Sequence, residues 1–181
     1  RGLAWASGSL LAADLSNGLY KINPADMTMS DFVAVDPPPK AVTVEGDYAY
    51  LNTSPGDYTD YYAVVVVRIS TFNEVGRYSP RSGSNVDAVV QNGVLYLPIR
   101  YMHLQTLAVD ASDPNALTIE LADTDVRGYT GVVVAQAAEN TLYLSQGTDT
   151  LAIFEGHGNA PYRLGIWQHP ANARVADLRL L

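Results

Sequence analysis

Few residues of this chain have the types and spacing that catalysis requires. The three histidines, His103, His157 and His169, are not accompanied by the Gly-x-Ser-x-Gly segment that exposes a nucleophilic serine. Cysteine is absent, which excludes thiolate nucleophiles, disulfides and cysteine-ligated metals. Gly156 and Gly158 lack the third glycine and the following helix of a dinucleotide site. The sequence therefore gives no catalytic set, and no cofactor is expected.

Asp57 and Asp60 are the candidates for a metal site. They lie in a loop, residues 54–61, that is rich in Pro, Gly and Asp. Loops that present several oxygen atoms can hold calcium, although calcium loops usually supply more alternating acidic residues. The alternative is a turn in which the Asp side chains bond to nearby backbone N–H groups. We favour the turn and keep Asp57 and Asp60 as calcium candidates.

Short segments typical of β-strands recur along the chain at intervals of 39 to 47 residues, and these elements must position any site. The equivalent positions are Leu11, Tyr50, Tyr96 and Tyr143. Such a spacing is typical of propeller blades, four-stranded sheets that bury their faces only against one another. The predicted fold is all-β, a β-propeller built of about four four-stranded antiparallel blades.

The predicted repeat units span about residues 1–39, 40–84, 85–130 and 131–173, and residues 174–181 begin a fifth. Four units and one strand form either a closed four-bladed ring or about half of a seven- or eight-bladed one. We favour the larger ring, because the last strand needs a neighbour to pair with. Another polypeptide, or the missing part of the same propeller, is the expected partner.

Three expectations concern single strands. Residues 62–70 form an almost wholly apolar run and are predicted to be one buried strand. Pro98 is expected to end its strand because it has no N–H. The opening strand of the fourth unit is placed at residues 131–135.

The residues predicted to be buried between blades are Val44, Val65, Val67, Val89, Val109, Val133 and Ile153.

Basic residues recur where each repeat unit begins. Lys40, Arg127 and Arg174 precede the strands that would be innermost in a propeller. These positions surround one mouth of the central channel, where cations in an acidic chain could attract an anion. The alternative is that each cation pairs with a nearby carboxylate, with little net effect. Lys40, Arg127 and Arg174 are the candidate anion-binding residues.

One segment resembles a known family. Residues 106–114, Thr-Leu-Ala-Val-Asp-Ala-Ser-Asp-Pro, resemble the third-strand motif of LVIVD repeats, Leu-Val-Ile-Val-Asp-Val-Ser-Asp-Pro. Residues 64–70 match its apolar positions but have Arg68 where the Asp would stand. The hairpin of residues 44–50 is similar to that family's glycine-centred turn followed by a Tyr-bearing strand. The resemblance implies a β-propeller of an exported or surface-attached microbial protein, and it brings no catalytic residues.

Charge and hydropathy exclude some partners. The chain has 11 basic and 19 acidic residues and a net charge of −8, which is a poor match for nucleic acid. No run approaches the roughly 18 apolar residues of a membrane-spanning helix. We therefore expect neither nucleic-acid binding nor a transmembrane segment.

Two functions from different classes remain. The favoured one is an exported binding or scaffold module, located outside the cell, in the periplasm or on the cell surface. It would present loop faces to a protein, a glycan or a partner subunit and would have no catalysis of its own. The alternative is a propeller enzyme, or a subunit of one, with a metal- or anion-binding site at the mouth of the central channel.

Overall fold

The computed structural model describes residues 2–53, 64–79, 88–99, 103–125, 135–138, 141–146, 150–155 and 162–168. Every helix or strand among these residues is a β-strand. In chain order the strands are β1 (Leu3–Ala6), β2 (Ser9–Asp14), β3 (Gly18–Ile22), β4 (Met29–Ala34), β5 (Pro39–Glu45), β6 (Tyr48–Thr53), β7 (Val64–Arg68), β8 (Asn73–Tyr78), β9 (Val89–Gln91), β10 (Val94–Ile99), β11 (His103–Asp110), β12 (Thr118–Asp125), β13 (Ala135–Ala138), β14 (Thr141–Gln146), β15 (Thr150–Glu155) and β16 (Tyr162–Gln168).

The described strands form four sheets, each made of four consecutive strands. Their orders are β1-β2-β3-β4, β5-β6-β7-β8, β12-β11-β10-β9 and β13-β14-β15-β16. Neighbouring strands pair antiparallel, as short hairpin connections require. The prediction of an all-β chain built of four-stranded antiparallel sheets is confirmed.

One tight turn and one close approach between strands follow directly from glycines in the sequence. Asn92 and Gly93 both have positive φ, 53° and 71°, as the two-residue turn between β9 and β10 demands. Gly18 opens β3 where a Cβ atom would lie 2.1 Å from the carbonyl oxygen of Val33. Only glycine allows the two strands to approach this closely.

The chain divides into two compact units. One comprises Arg1–Ser82 and Val109–Ile119, and the other comprises Gly83–Ala108 and Glu120–Leu181. In the first unit the hydrophobic core lies between the first and second sheets. It consists of Ala6, Leu11, Leu19, Val35, Val42, Ala49, Leu51, Val65, Val67, Ile69 and Phe72.

The predicted buried residues have mixed outcomes. Val65 and Val67 are completely buried in this core. Val44 is half-buried and packs against its edge. Half-burial is also found at Val89, Val109 and Ile153. Val133 lies outside the described residues.

The long apolar strand ends earlier than predicted. The structure describes β7 as Val64–Arg68, and residues 69–72 form a turn. The chain leaves the ladder because the N–H of Ile69 donates to the Asp47 carbonyl (2.8 Å) and the N–H of Phe72 donates to that of Arg68 (2.8 Å). A run of apolar residues does not reveal such an exit, because Ile69 and Phe72 are themselves buried.

One further strand prediction was wrong, and another was wrong only at the end of the strand. Pro98 does not end its strand, since β10 continues to Ile99 and Pro98 pairs with Leu104 of β11. The described register of β9 with β10 stops at Tyr96. The absence of an N–H at Pro98 therefore breaks no hydrogen bond of that described register between β9 and β10. In the fourth sheet the opening strand is Ala135–Ala138. Residues 131–134 lie outside the described part of the chain.

Within the described part of the chain, no helix is long and apolar enough to cross a membrane.

Candidate interaction face

The two faces of the first sheet have different surroundings. Ala6, Leu11 and Leu19 point into the core shared with the second sheet, and Ala4 packs against that core. Because side chains alternate along a strand, the residues between them point to the opposite side. That opposite side has Asp14, Gly18 and Ala34 at one edge. Its other residues, which we call the open face, are Leu3, Trp5, Leu10, Ala12, Tyr20, Ile22, Met29 and Phe32.

The strand register places these residues side by side. Trp5 pairs with Leu10, which pairs with Ile22, and Leu3 pairs with Ala12, which pairs with Tyr20. Beyond Tyr20 the row continues to Phe32, whose ring centroid lies 4.8 Å from that of Tyr20. The open face is therefore continuous across all four strands of the sheet.

The open face is exposed as well as apolar. Trp5 is 63% exposed, Leu3 60%, Met29 61% and Phe32 40%. None of its eight residues carries a charge. A contiguous apolar patch on a protein surface marks an interaction site more often than it marks a solvated face.

The repeat allows the burial of the open face to be compared with that of the equivalent face of the second sheet. If Leu11 is equivalent to Tyr50, then Leu10 and Ala12 are equivalent to Ala49 and Leu51. Through the strand pairing, Tyr20 and Ile22 correspond in the same way to Val65 and Val67. These four counterparts in the second sheet are Ala49, Leu51, Val65 and Val67, and each is 0% exposed. The open face thus repeats a surface that, one unit later, is completely buried against a neighbouring sheet.

The acidic side chains of the turns have local roles. Asp14 and Asp110 accept hydrogen bonds from the N–H groups of Ser16 (2.8 Å) and Ser112 (2.9 Å). Asp26 accepts from both the hydroxyl (2.7 Å) and the N–H (3.0 Å) of Thr28. The hydrogen bonds from Thr28 and Ser112 hold the pKa of Asp26 and of Asp110 below the usual range. The lowered pKa of Asp26 and of Asp110 is unlike the raised pKa of a general acid, and both side chains stabilise turns.

Asp47 forms the most extensive of these polar clusters. Its carboxylate accepts hydrogen bonds from Nε of Arg68 (2.9 Å) and from the N–H (2.9 Å) and hydroxyl (2.5 Å) of Ser70. Burial acts to raise the pKa of Asp47, but the hydrogen bonds from Ser70 and Arg68 outweigh it and lower the pKa. Arg68 also donates to Oδ1 of Asn115 (3.2 Å). The cluster joins the turns of the second sheet to the turn between β11 and β12.

The residues proposed from the sequence as ligands are only partly within the described chain. Lys40 is half-buried in β5, close to where β1 begins. Arg127, Arg174, Asp57 and Asp60 lie outside the described residues, so the anion and calcium sites stay predictions. Within the described ranges, no group of three His, Asp or Glu side chains is placed to hold a metal ion.

Sequence reasoning missed the open face. The available signal was in β1, where bulky Leu3 and Trp5 alternate with Ala4 and Ala6. The small residues face the core and the large ones face outward, which inverts the ordinary expectation that large apolar side chains lie inside. Such an inversion indicates a second packing surface.

Comparison with known proteins supports the fold. No protein-family model matches the chain, and no curated protein sequence is significantly similar to it. Among solved structures it is similar to a putative 6-phosphogluconolactonase from Bacteroides fragilis, with a TM-score of 0.70 and 15% identity over 92% of this chain. The computationally designed proteins Ika4 and Ika8 are also similar, with TM-scores of 0.66 and 0.59 and identities of 12% and 10%.

The extent of these matches differs. The chain spans 54% of the lactonase, 64% of Ika8 and 88% of Ika4. At such low identity the similarity shows the fold alone. Together with the four sheets, it shows a β-propeller-like all-β fold.

Proposed function

We propose that this chain is a non-catalytic binding or scaffold module built as part of a β-propeller. The open face of the first sheet is the observation that carries the proposal. It offers a partner a continuous, uncharged surface with Trp5 and Phe32 exposed. Exposed aromatic side chains of this kind dominate the binding energy of protein interfaces.

The polar groups of the described residues support the same function. The carboxylates of Asp14, Asp26 and Asp110 bond within their own turns, and Asp47 pairs with Arg68. Side chains used in this way hold the turns in shape and present them as a rigid surface. A rigid surface supports the recognition of a protein, a glycan or a partner subunit at the turns and the open face.

The proposal includes a larger ring and an exported location. Four sheets, with a fifth unit beginning at residues 174–181, are proposed to belong to a seven- or eight-bladed propeller. The resemblance of residues 106–114 to LVIVD repeats supports a location outside the cell, in the periplasm or on the cell surface. Fractionation of the source cells with an antibody against this chain tests that location, and recovery from the cytoplasm alone would refute it.

Binding and catalysis are separated by two measurements on the same preparation. The purified chain is screened on glycan and protein arrays, and its hydrolysis of 6-phosphogluconolactone is measured. We expect saturable binding that is reduced in Trp5→Glu, and no hydrolysis above the buffer rate. Hydrolysis that is lost in Lys40→Met would contradict the proposal and support an anion-binding enzyme site.

A further inference from the structure

We propose that Asn92 is a site of spontaneous covalent modification, at which the side-chain amide is lost and the residue becomes aspartate or isoaspartate. The chain has two Asn-Gly pairs, Asn17-Gly18 and Asn92-Gly93. Glycine favours the reaction in both pairs, because it has no Cβ atom to hinder its own backbone nitrogen. Both asparagines are exposed, so the local backbone decides which of them reacts. This inference goes beyond the proposed function and does not depend on it.

The reaction uses water and no cofactor. The backbone nitrogen of Gly93 attacks Cγ of Asn92 and forms a C–N bond, while the side-chain nitrogen leaves as ammonia with the proton that the glycine nitrogen gives up. The product is a cyclic imide. Water then adds to one of the two carbonyl carbons of this ring and breaks its bond to nitrogen. One opening gives aspartate, and the other gives isoaspartate, whose main chain is longer by one methylene group. No atom is oxidised or reduced.

The fold opposes this reaction at Asn17. Gly18 is buried and belongs to β3, where it pairs with Asp14 of β2 and with Ala34 of β4. The carbonyl of Asn17 accepts the N–H of Val35 (3.1 Å), and Nδ2 of Asn17 donates to Oδ2 of Asp14 (3.2 Å). Ring closure needs freedom both at the peptide group after Asn17 and at its side chain. These contacts restrict both, so the strands must first separate.

Asn92 and Gly93 have a different place in the fold. They form the two-residue turn between β9 and β10, and the register of these strands begins at the pair of Gln91 with Val94. Neither residue of the turn is therefore a paired strand residue. Opening a turn at the end of a ladder costs less free energy than separating a strand that has a neighbour on each side. The Asn92-Gly93 peptide group should reach the reactive geometry more often than the first pair does.

The modification changes both the charge and the turn. Loss of the amide converts a neutral side chain into a carboxylate, so the net charge of −8 becomes more negative by one charge. Isoaspartate also lengthens the main chain between Gln91 and Val94, where a two-residue turn sets the register of the hairpin. We therefore expect isoaspartate at position 92 to weaken the pairing of β9 with β10.

Peptide mass spectrometry on the full chain tests the proposal, with Asn17 as the internal control. Trypsin places the two sites in separate peptides, residues 2–21 and residues 82–100. The protein is incubated at mildly alkaline pH, the mass gain of each peptide is followed with time, and isoaspartate is detected by enzymatic methylation. We expect Asn92 to react about 10-fold or more faster than Asn17 in the folded protein. In concentrated urea the two rates should come within about 3-fold of each other, because the fold no longer separates them.

Three results would overturn the proposal. Equal rates in the folded protein, or a faster rate at Asn17, would show that the pairing of Gly18 does not select the site. Reaction of Asn92 in urea but not in the folded protein would show that the turn protects it. A rate difference that persists unchanged in urea would assign the selection to the neighbouring sequence and not to the strand pairing.

Discussion

At the scale of single residues, several acidic side chains stabilise turns by accepting hydrogen bonds from backbone N–H groups. Asp47 is the strongest case, since its carboxylate receives three hydrogen bonds from Arg68 and Ser70 while its backbone carbonyl accepts the N–H of Ile69. Arg68 occupies the position where the LVIVD motif has an Asp. In the third sheet that position holds Asp110, which fixes its turn through Ser112. The same turn is thus held by different groups in the two sheets.

Replacing Asp47 tests this role. Asp47→Asn keeps an oxygen that can accept the Ser70 N–H but removes the ion pair with Arg68, and we expect a loss of about 1 kcal/mol in the free energy of unfolding at pH 7. The folded state lowers the pKa of Asp47, so its contribution is present above the unfolded value, near 3.9, and disappears as the pH falls through the folded value.

Denaturant unfolding of both proteins between about pH 7 and pH 2 provides the measurement. The difference between them should shrink below about pH 4. Asp31→Asn, which removes the same charge from an exposed strand position, is the control and should show less loss. A difference that stays constant down to about pH 2 would show that the charge of Asp47 does not contribute.

At the scale of elements, β7 is a deeply buried strand. Val64, Val65, Val66 and Val67 are all 0% exposed, because the two faces of the second sheet are both covered. The buried strand predicted over residues 62–70 is confirmed for Val64–Arg68, and residues 62 and 63 lie outside the described chain. The flanking residues 69–72 instead form a turn that packs Ile69 and Phe72 into the core.

Val65→Asp tests the burial of β7. The variant would place an unpaired carboxylate in the core, with an expected cost of several kcal/mol, whereas Asp57→Asn should cost well under about 1 kcal/mol if Asp57 only stabilises a turn. Thermal melting with and without calcium compares the two variants. Equal melting temperatures would refute the burial of Val65, and a calcium-dependent loss confined to Asp57→Asn would establish a metal site.

A second element-scale contact joins β8 to the turn of Val109–Ile119. The N–H of Leu117 donates to the carbonyl of Val75 (2.8 Å), and a Cβ atom at Gly76 would lie 2.9 Å from the carbonyl oxygen of Leu117. Glycine is needed here so that the two backbones can approach.

Gly76→Ala tests this close approach. We expect a loss of about 1–3 kcal/mol in the free energy of unfolding, because the turn must move away from β8. The control is Gly2→Ala, where the added Cβ would lie at an ordinary distance of 3.5 Å from the carbonyl oxygen of Ala13. Denaturant unfolding compares the two. If both variants lose the same stability, the contact of Gly76 with Leu117 is not what requires glycine.

At the scale of the whole molecule, the acidic surface affects the partner binding that we propose for the open face. The chain carries a net charge of −8, so it repels an acidic partner at low salt. Raising the salt concentration screens that repulsion and strengthens hydrophobic contact at the open face.

The dissociation constant for an acidic partner found on the arrays should therefore fall several-fold between about 0.05 M and about 0.5 M sodium chloride. Binding titrations at the two concentrations measure it, and sodium sulfate at equal ionic strength should lower it further. A dissociation constant that rises with salt would show that ion pairs, and not the open face, hold the partner.

The sequence by itself determined the class of the fold. The recurrence of Leu11, Tyr50 and Tyr96 predicts a sheet-by-sheet repeat, because each residue lies at the same place in a strand that returns from a hairpin turn. The structure buries all three residues, to 0%, 2% and 4% exposure, and burial raises the pKa of both tyrosines. Local pattern is sufficient here because strand periodicity and turn residues such as Asn92 and Gly93 act over short distances.

Tertiary structure alone decided which apolar residues lie inside. Leu3, Trp5 and Phe32 are residue types that are common in protein cores. The strand pattern assigns each of them to one face of the sheet but does not show whether that face is covered. Covering depends on contacts between residues far apart in the chain, such as Lys21 Nζ, which donates to the carbonyl of Ile69 (3.3 Å) across the two sheets. The sequence therefore predicted sheets with apolar faces, and packing decided that Leu11 and Leu19 are buried while Leu3, Trp5 and Phe32 are exposed.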